Sequence, residues 1–380
     1  MAFELTDEQE ITRAAVREFA DAEVAPLAGT IDREHRVPTE TVPKLAELGL
    51  LGMLVPEEYG GVGADTLSYV IAVEELARAC ATTSVLMESH SSLATWPILH
   101  YGTEAQKAAR LPGMATGETL GAFGLTEPGA GTDVASLTSS AVRDGDGWVL
   151  NGQKVFITGG GYARVFVIFA RTSATAKPHH GISAFIVDRD LPGFTVGEGE
   201  RKLGIRGSST PPLMFRDVWL PSDALLGEEG QGFEIAMRTL DGGRIGIAAQ
   251  AVGIAQGALD AAVAYARQRV QFGRPIAALQ AIQWMVADMA TDIEAGRLLT
   301  YQAAALEEAG EPYGVAAARA KLFCGQMASR VAGMAVQIHG GNGYTEAYPA
   351  ERAYRDAKIT EIYEGTNEVQ RLVIARSLLR

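Results

Sequence analysis

The chain is poor in the residues from which several large protein classes are built. It has 2 cysteines among 380 residues, Cys80 and Cys324. Two cysteines cannot make a disulfide framework, and both lie in apolar, helical-looking stretches, so they read as core packing. Its 6 histidines are scattered except for His179-His180. That pair sits in a loop beside Pro178 with no further ligands near it in sequence, which argues against a metal site. Positive charge is in deficit: 33 Lys and Arg against 46 Asp and Glu leave a net charge of −13. Such a surface disfavours nucleic acid as a partner. The 43 glycines never fall into GxGxxG or GxxxxGK[ST] spacing, and no GxSxG occurs. A Rossmann fingerprint, a P-loop and a hydrolase elbow are therefore unsupported. The opening Met1-Ala2-Phe3-Glu4-Leu5 has neither a basic nor an apolar leader character, so a cytoplasmic protein is expected. Ile245 to Ala266 is long and nearly uncharged, but it holds Gln250, Gln256 and Asp260 and is rich in alanine and glycine. It reads as a core helix, without integral membrane contact.

What is present falls into three regions. Hydrophobic residues make up 47% and charged residues 21%, ordinary for a globular protein. Residues 1–120 read as helical. Thr6 and Gln9 form a capping-box pattern before Ile11, Ala15 and Phe19, and a further helix is expected from Leu67 to Ala81. Residues 121–228 read as β. Asp144-Gly145-Asp146-Gly147 is a hairpin turn, Asn151-Gly152 a second turn before a strand at Val155-Phe156-Ile157, and further runs lie at 165–170, 182–187, 194–196 and 213–219. An antiparallel meander is expected. Residues 229–380 are helical again, with Leu279, Ile282, Val286, Met289 and Ile293 spaced as the seam of a bundle helix. The fold class is α+β: a helical domain, a middle antiparallel β domain and a helical bundle.

Four segments carry candidate chemistry. Leu125-Thr126-Glu127-Pro128-Gly129-Ala130-Gly131-Thr132-Asp133 offers bare backbone N–H groups and hydroxyls that suit a heteroaromatic edge, though a plain connector has the same composition. Phe156-Ile157-Thr158-Gly159-Gly160-Gly161 puts an aromatic face and a hydroxyl before a permissive turn, which suits a flat ring or simply a core Phe. Arg267-Gln268-Arg269-Val270-Gln271-Phe272-Gly273-Arg274 is basic in an acidic chain, suited to phosphate binding or to helix capping. In Tyr363-Glu364-Gly365-Thr366-Asn367-Glu368, Thr366 or Asn367 can cap a last helix with an apolar face of Val369, Leu372, Val373 and Leu379. Glu364 then sits on a fixed loop, where a carboxylate can act as a base or merely meet a helix dipole.

Taken together and in this order, these segments resemble the acyl-CoA dehydrogenase family. LTEPGAGTD, ARQRVQFGRPIAALQAIQWMVADMA and HGGNGY with RDAKITEIYEGTNEVQR carry the likeness, which runs over nearly the whole chain. The resemblance implies non-covalent FAD, an acyl-CoA substrate, an electron-transfer flavoprotein as partner, and a homotetramer in which neighbours share flavin sites. It implies that Phe123, Leu125, Thr126, Phe156, Thr158 and Tyr363 meet the flavin ring, with Phe156 where many members carry Trp. Arg269, Gln271 and Phe272 would reach the neighbouring subunit's FAD, with Gln337, Gly340 and Gly341 as a further contact and Thr366 and Glu368 on the adenosine side. Thr132, Asp241, Arg244 and Gly365 would meet the acyl-CoA. Glu364 falls on the catalytic glutamate, which removes the α-proton while the β-hydrogen leaves as hydride. Gly243 stands where a subgroup keeps its base instead, which argues against the isovaleryl and long-chain types. LGIRGSSTPPLMF and LDGGRIGIAAQ look most like short-chain, straight or branched, members. The same fold also serves acyl-CoA oxidases and flavin oxygenases, separable by oxygen consumption, and a non-catalytic acyl-CoA-binding protein would be colourless.

Overall fold

The computed structural model describes residues 4–175 and 177–379. Met1-Ala2-Phe3, on which the leader reading partly rests, lies outside them. The first region contains α1 (Asp7–Phe19), α2 (Ala25–Glu34), α3 (Val42–Glu47), α4 (Thr66–Ala79), α5 (Ala81–Glu88), α6 (Trp96–Tyr101) and α7 (Glu104–Ala115). The capping box at Thr6 and Gln9 forms as its pattern predicts, with both reciprocal bonds present. The helix expected over 67–81 is divided instead. Cys80 takes an extended conformation (φ −157°, ψ 108°) and separates α4 from α5. Both cysteines are buried.

The middle region contains β1 (Gly121–Gly124), β2 (Ser140–Asp144), β3 (Gly147–Lys154), β4 (Val165–Arg171), β5 (Ile182–Asp188), β6 (Phe194–Val196), β7 (Leu213–Pro221) and β8 (Leu225–Leu226). Most pairings are antiparallel, but the sheet is mixed, not a plain meander. The order is β6-β7-β3-β2-β4-β5-β8, β1 pairs with β4 in parallel, and β2 meets β4 in parallel at Ser140 and Arg171. Asn151-Gly152 is not a turn. It is a bulge inside β3, where the register against β7 shifts between Leu150 and Gly152. The strand therefore ends at Lys154, and 155–157 leaves the sheet.

The last region contains α8 (Gly232–Gln268), a hairpin of β9 (Val270–Gln271) and β10 (Arg274–Pro275), α9 (Gln280–Glu308), α10 (Gly314–His339), α11 (Pro349–Ala357) and α12 (Asn367–Leu378). Among the described residues α8 is the one helix long and apolar enough to cross a membrane, and 61% of its most apolar stretch is buried in the protein. Its small residues have a packing reason. A Cβ on Gly253 would lie 2.2 Å from the Glu74 carbonyl oxygen, so α4 and α8 touch backbone to backbone. Met289 and Ile293 of the expected seam are fully buried, while Ile282 and Val286 pack at its edge. α12 forms with its expected apolar face only partly covered among the described residues. It buries Asn367 and Gln370, leaves Val369 and Val373 half-buried, and leaves Leu372 51% and Leu379 86% exposed.

Candidate active site

Glu364 lies between a 3-10 turn (Lys358–Glu361) and α12. Its backbone is left-handed at φ 52°, and Gly365 follows at φ 95°. A non-glycine residue there costs on the order of 1 kcal/mol, so its surroundings must impose it. Thr366 caps α12 by accepting from the Val369 N–H. Gln370 Nε2 donates to the Gly365 carbonyl at 2.8 Å, and Arg244 Nε reaches the Glu364 carbonyl at 3.5 Å. On the other side Tyr363 Oη donates to Gln250 Oε1, and Gln250 Nε2 donates to the Ala81 carbonyl at 3.0 Å. These bonds turn the Glu364 side chain inward onto α8, where a Cβ on Gly243 would lie 2.2 Å from its Oε2.

That Oε2 is buried without a hydrogen-bond partner. Burial pushes the carboxyl pKa well above the ordinary value, while the positive charges of Lys321 and Arg244 and the neighbouring Glu88 carboxyl pull it back down. Lys321 is fully buried on α10, its Nζ has no hydrogen-bond partner among the described residues, and burial lowers it to about 8. Arg244 is buried and paired with Asp241 on the same helix. The result is a buried carboxylate with a free oxygen, poised between desolvation and two cations. That is the arrangement a general base requires.

The 125–133 loop is anchored by Glu127, which the sequence presents only as one polar residue among several. Its buried carboxylate accepts from Thr138 N at 2.7 Å, Ser139 N at 2.9 Å and Lys154 Nζ at 2.7 Å. Against the cost of its burial, Lys154 and these donors hold it down to about 2. Lys154 also donates to the Leu125 carbonyl at 3.2 Å. The Val155 N–H donates to the Thr126 carbonyl at 2.9 Å, which sets the Phe156 segment beside Thr126. Phe156 stands 64% exposed with left-handed backbone at φ 60°. Leu125 is buried, Thr126 and Thr158 are half-buried, and Phe123 packs on Phe169 with ring centroids 4.9 Å apart. Thr132 is exposed on the loop. An exposed aromatic face flanked by hydroxyls and open loop backbone fits an isoalloxazine ring.

The basic segment forms a second cluster. Phe272 (φ 52°) and Gly273 (φ 74°) are the turn of the hairpin, and Arg269, Gln271 and Phe272 are exposed, Phe272 to 90%. Gln337, Gly340 and Gly341 are exposed close by, joined to α8 where His339 stacks on Tyr265 at 4.4 Å and Asn342 donates to the Tyr265 hydroxyl at 2.8 Å. From Arg244 to the hairpin α8 runs roughly 24 residues, about 36 Å at 1.5 Å per residue. The two clusters therefore cannot serve one ring in one chain. Glu368 is exposed at the start of α12.

The chain matches the acyl-CoA dehydrogenase N-terminal domain over residues 6–118, the middle domain over 122–218 and the C-terminal domain over 230–379. The chain belongs to the acyl-CoA dehydrogenase family. It is an FAD-dependent oxidoreductase of that family, and the exposed Phe156 face with its neighbouring hydroxyls is chemically compatible with the cofactor. It is 54% identical over 380 residues to the short-chain specific acyl-CoA dehydrogenase of Clostridium acetobutylicum, covering 100% of both chains. The butyryl-CoA dehydrogenase structure from Megasphaera elsdenii superposes with a TM-score of 0.98 at 48% identity, covering 100% of both. A chain in a structure describing the electron transferring flavoprotein of Acidaminococcus fermentans and flavin-based electron bifurcation gives 0.98 at 50%, again covering 100% of both.

Sequence reasoning found Glu364, Asp241 and Arg244, which the fold brings together. It missed Glu88, Lys321, Gln250 and Glu127. Each has an ordinary reading where it stands in sequence, and its meaning comes from partners 11 to 276 residues away.

Proposed function

We propose that this acyl-CoA dehydrogenase oxidises a short-chain, straight or branched, acyl-CoA to the trans-2-enoyl-CoA in the cytoplasm, with Glu364 as base and an electron-transfer flavoprotein as acceptor. The carrying observation is the unpartnered, buried Glu364 Oε2 on an imposed left-handed backbone. Bound FAD supplies the hydride acceptor. Everything else falls to the chain. Glu364 takes the α-proton, and its backbone N–H is available to the thioester carbonyl, whose oxygen gains charge as the proton leaves. Arg244, locked by Asp241, fixes the carbonyl end of Glu364 and with Gly365 and Thr132 borders the acyl-CoA. Tyr363, tied to Gln250, helps exclude water. Phe123, Leu125, Thr126, Phe156, Thr158 and Tyr363 face the flavin. Gln337, Gly340, Gly341, Thr366 and Glu368 are the remaining cofactor contacts, and Arg269, Gln271 and Phe272 serve the FAD of a neighbouring subunit in a homotetramer. The roughly 36 Å along α8 between the hairpin and Arg244 supports that last reading.

The test is the anaerobic visible spectrum. Butyryl-CoA should bleach the flavin band of the wild type. Glu364→Gln, which keeps size and polarity but cannot accept a proton, should stay yellow and unbleached. Turnover by that variant near the wild-type rate would refute the assignment.

A further inference from the structure

A second carboxyl lies beside the proposed base. Glu88 ends α5 where the chain opens into a π-helical turn (Ser89–Thr95), and it is fully buried. Its Oε1 accepts from Ser92 Oγ at 2.6 Å, and its Oε2 has no partner among the described residues. The carboxyl is pressed against bare helix backbone: a Cβ on Gly246 would lie 2.7 Å from Oε1 and 2.9 Å from Cγ. Gly243 makes the equivalent approach to Glu364. Positions 243 and 246 are three apart, so they lie on one face of α8. The two carboxyls therefore sit side by side along that face, close enough for each to act on the other's charge. The segment holding Glu88 is itself fixed. The Gly121 N–H donates to His90 Nδ1 at 3.1 Å, so His90 Nε2–H must donate to the Met114 carbonyl at 3.0 Å, which ties it to β1 and α7.

Two buried carboxylates in contact cannot both be charged. The neighbours decide which one keeps the proton. Lys321 from α10 and Arg244 from α8 face Glu364. Around Glu88 stand the Tyr69 phenol from α4, the Tyr363 phenol, the Ser92 hydroxyl and Glu364, with Glu307 of α9 acting on Tyr69 from further off. None of these is a cation. The charge therefore belongs on Glu364 and the proton on Glu88.

We infer that Glu88 is a positioning residue for the reaction: its neutral carboxyl donates a hydrogen bond to Glu364, so the pair holds one proton and the base is presented ionised in a fixed rotamer. This rests on Glu364 being the base. The arrangement lets a desolvated glutamate work at neutral pH without a paired cation in contact with it, and no residue motif encodes it.

Two variants and two readouts test it. A hydrogen bond to a charged group is worth roughly tenfold to a hundredfold in its ionisation equilibrium. Glu88→Leu, which removes the donor, should move the acid limb of the kcat/KM profile up by about one to two pH units, with kcat at pH 6.5 falling at least about tenfold and KM little changed. Glu88→Gln restores an N–H donor and should return the limb toward its wild-type position. Independently of turnover, infrared difference spectra at neutral pH should show one protonated-carboxyl component common to wild type and Glu364→Gln that Glu88→Gln lacks. A limb that stays put or moves down in Glu88→Leu, or a wild-type minus Glu88→Gln difference spectrum without that component, overturns the inference. If the wild type fails to turn over butyryl-CoA, the reaction reading fails instead, and the infrared comparison still decides the pairing.

Discussion

Gly243→Ala adds one methyl group to the interior of α8, on the face that carries the proposed base. That Cβ would lie 2.2 Å from Glu364 Oε2, 3.0 Å from its Cδ and 3.0 Å from Leu93 Cδ2, whereas ordinary contact begins at 3.4 Å. The carboxyl must retreat by more than 1 Å, and it cannot swing freely, because its backbone is pinned through Gly365 and Arg244 and Glu88 lies beside it. A misplacement of about 1 Å at a reacting group costs on the order of 100-fold, or about 2.7 kcal/mol of barrier. Folding should barely notice. Alanine favours a helix interior over glycine by roughly 0.5–1 kcal/mol, and local overpacking costs roughly 1–3 kcal/mol. The assay pairs dye-coupled kcat on butyryl-CoA with flavin content and thermal unfolding. The expected result is a full complement of FAD, a melting temperature moved by only a few degrees, and kcat down about 100-fold. A flavin-loaded variant with kcat within about threefold of wild type would refute the geometry on which the site rests.

Two further perturbations probe the supports of the site. Lys154→Met leaves the buried Glu127 carboxylate without its cation; breaking such a pair costs about 3–5 kcal/mol, read as a lower urea midpoint and weaker FAD retention, and an unchanged midpoint would mean that the backbone donors suffice. The same pair sets an acid response: Glu127 is depressed to about 2, so its contribution is fully present above its unfolded value near pH 4.5, is lost as pH falls toward 2, and acid unfolding of Lys154→Met should begin at higher pH. Phe272→Asp alters a side chain that is 90% exposed in one chain; light scattering should show a smaller assembly with less flavin per subunit, and a wild-type assembly would refute a hairpin role at the neighbour.

The legible parts of this molecule are those whose meaning is local in sequence. The Thr6 capping box, the β2–β3 turn and the Thr366 cap need only residues within a few positions, and each forms as written. The expected turn at Asn151-Gly152 failed because turn composition and bulge composition coincide, and only pairing with β7 chooses between them. The apolar side of α12 is legible as a face, but periodicity does not say what covers it; Leu372 and Leu379 lie open in one chain.

The site divides along the same line. Glu364 stood out because Gly365 and a cap at Thr366 or Asn367 fix its loop just before the last helix, a local signature, and because its segment resembles the family's. What suits it to the proposed role of base is not local. The desolvation comes from α8 and Leu93, the opposing charge from Lys321 on α10 and Arg244 on α8, and the neighbouring carboxyl from Glu88, 276 residues earlier. Each of those residues has an ordinary reading where it stands in sequence: a lysine in a helix, a glutamate at a helix end, glycines in an alanine-rich stretch. Their effect appears only when α5, α8 and α10 meet, because desolvation and Coulomb interaction depend on distance in space alone. The location of the proposed base is thus written in a few adjacent residues, while the strength it would have as a base belongs to the packing of the bundle.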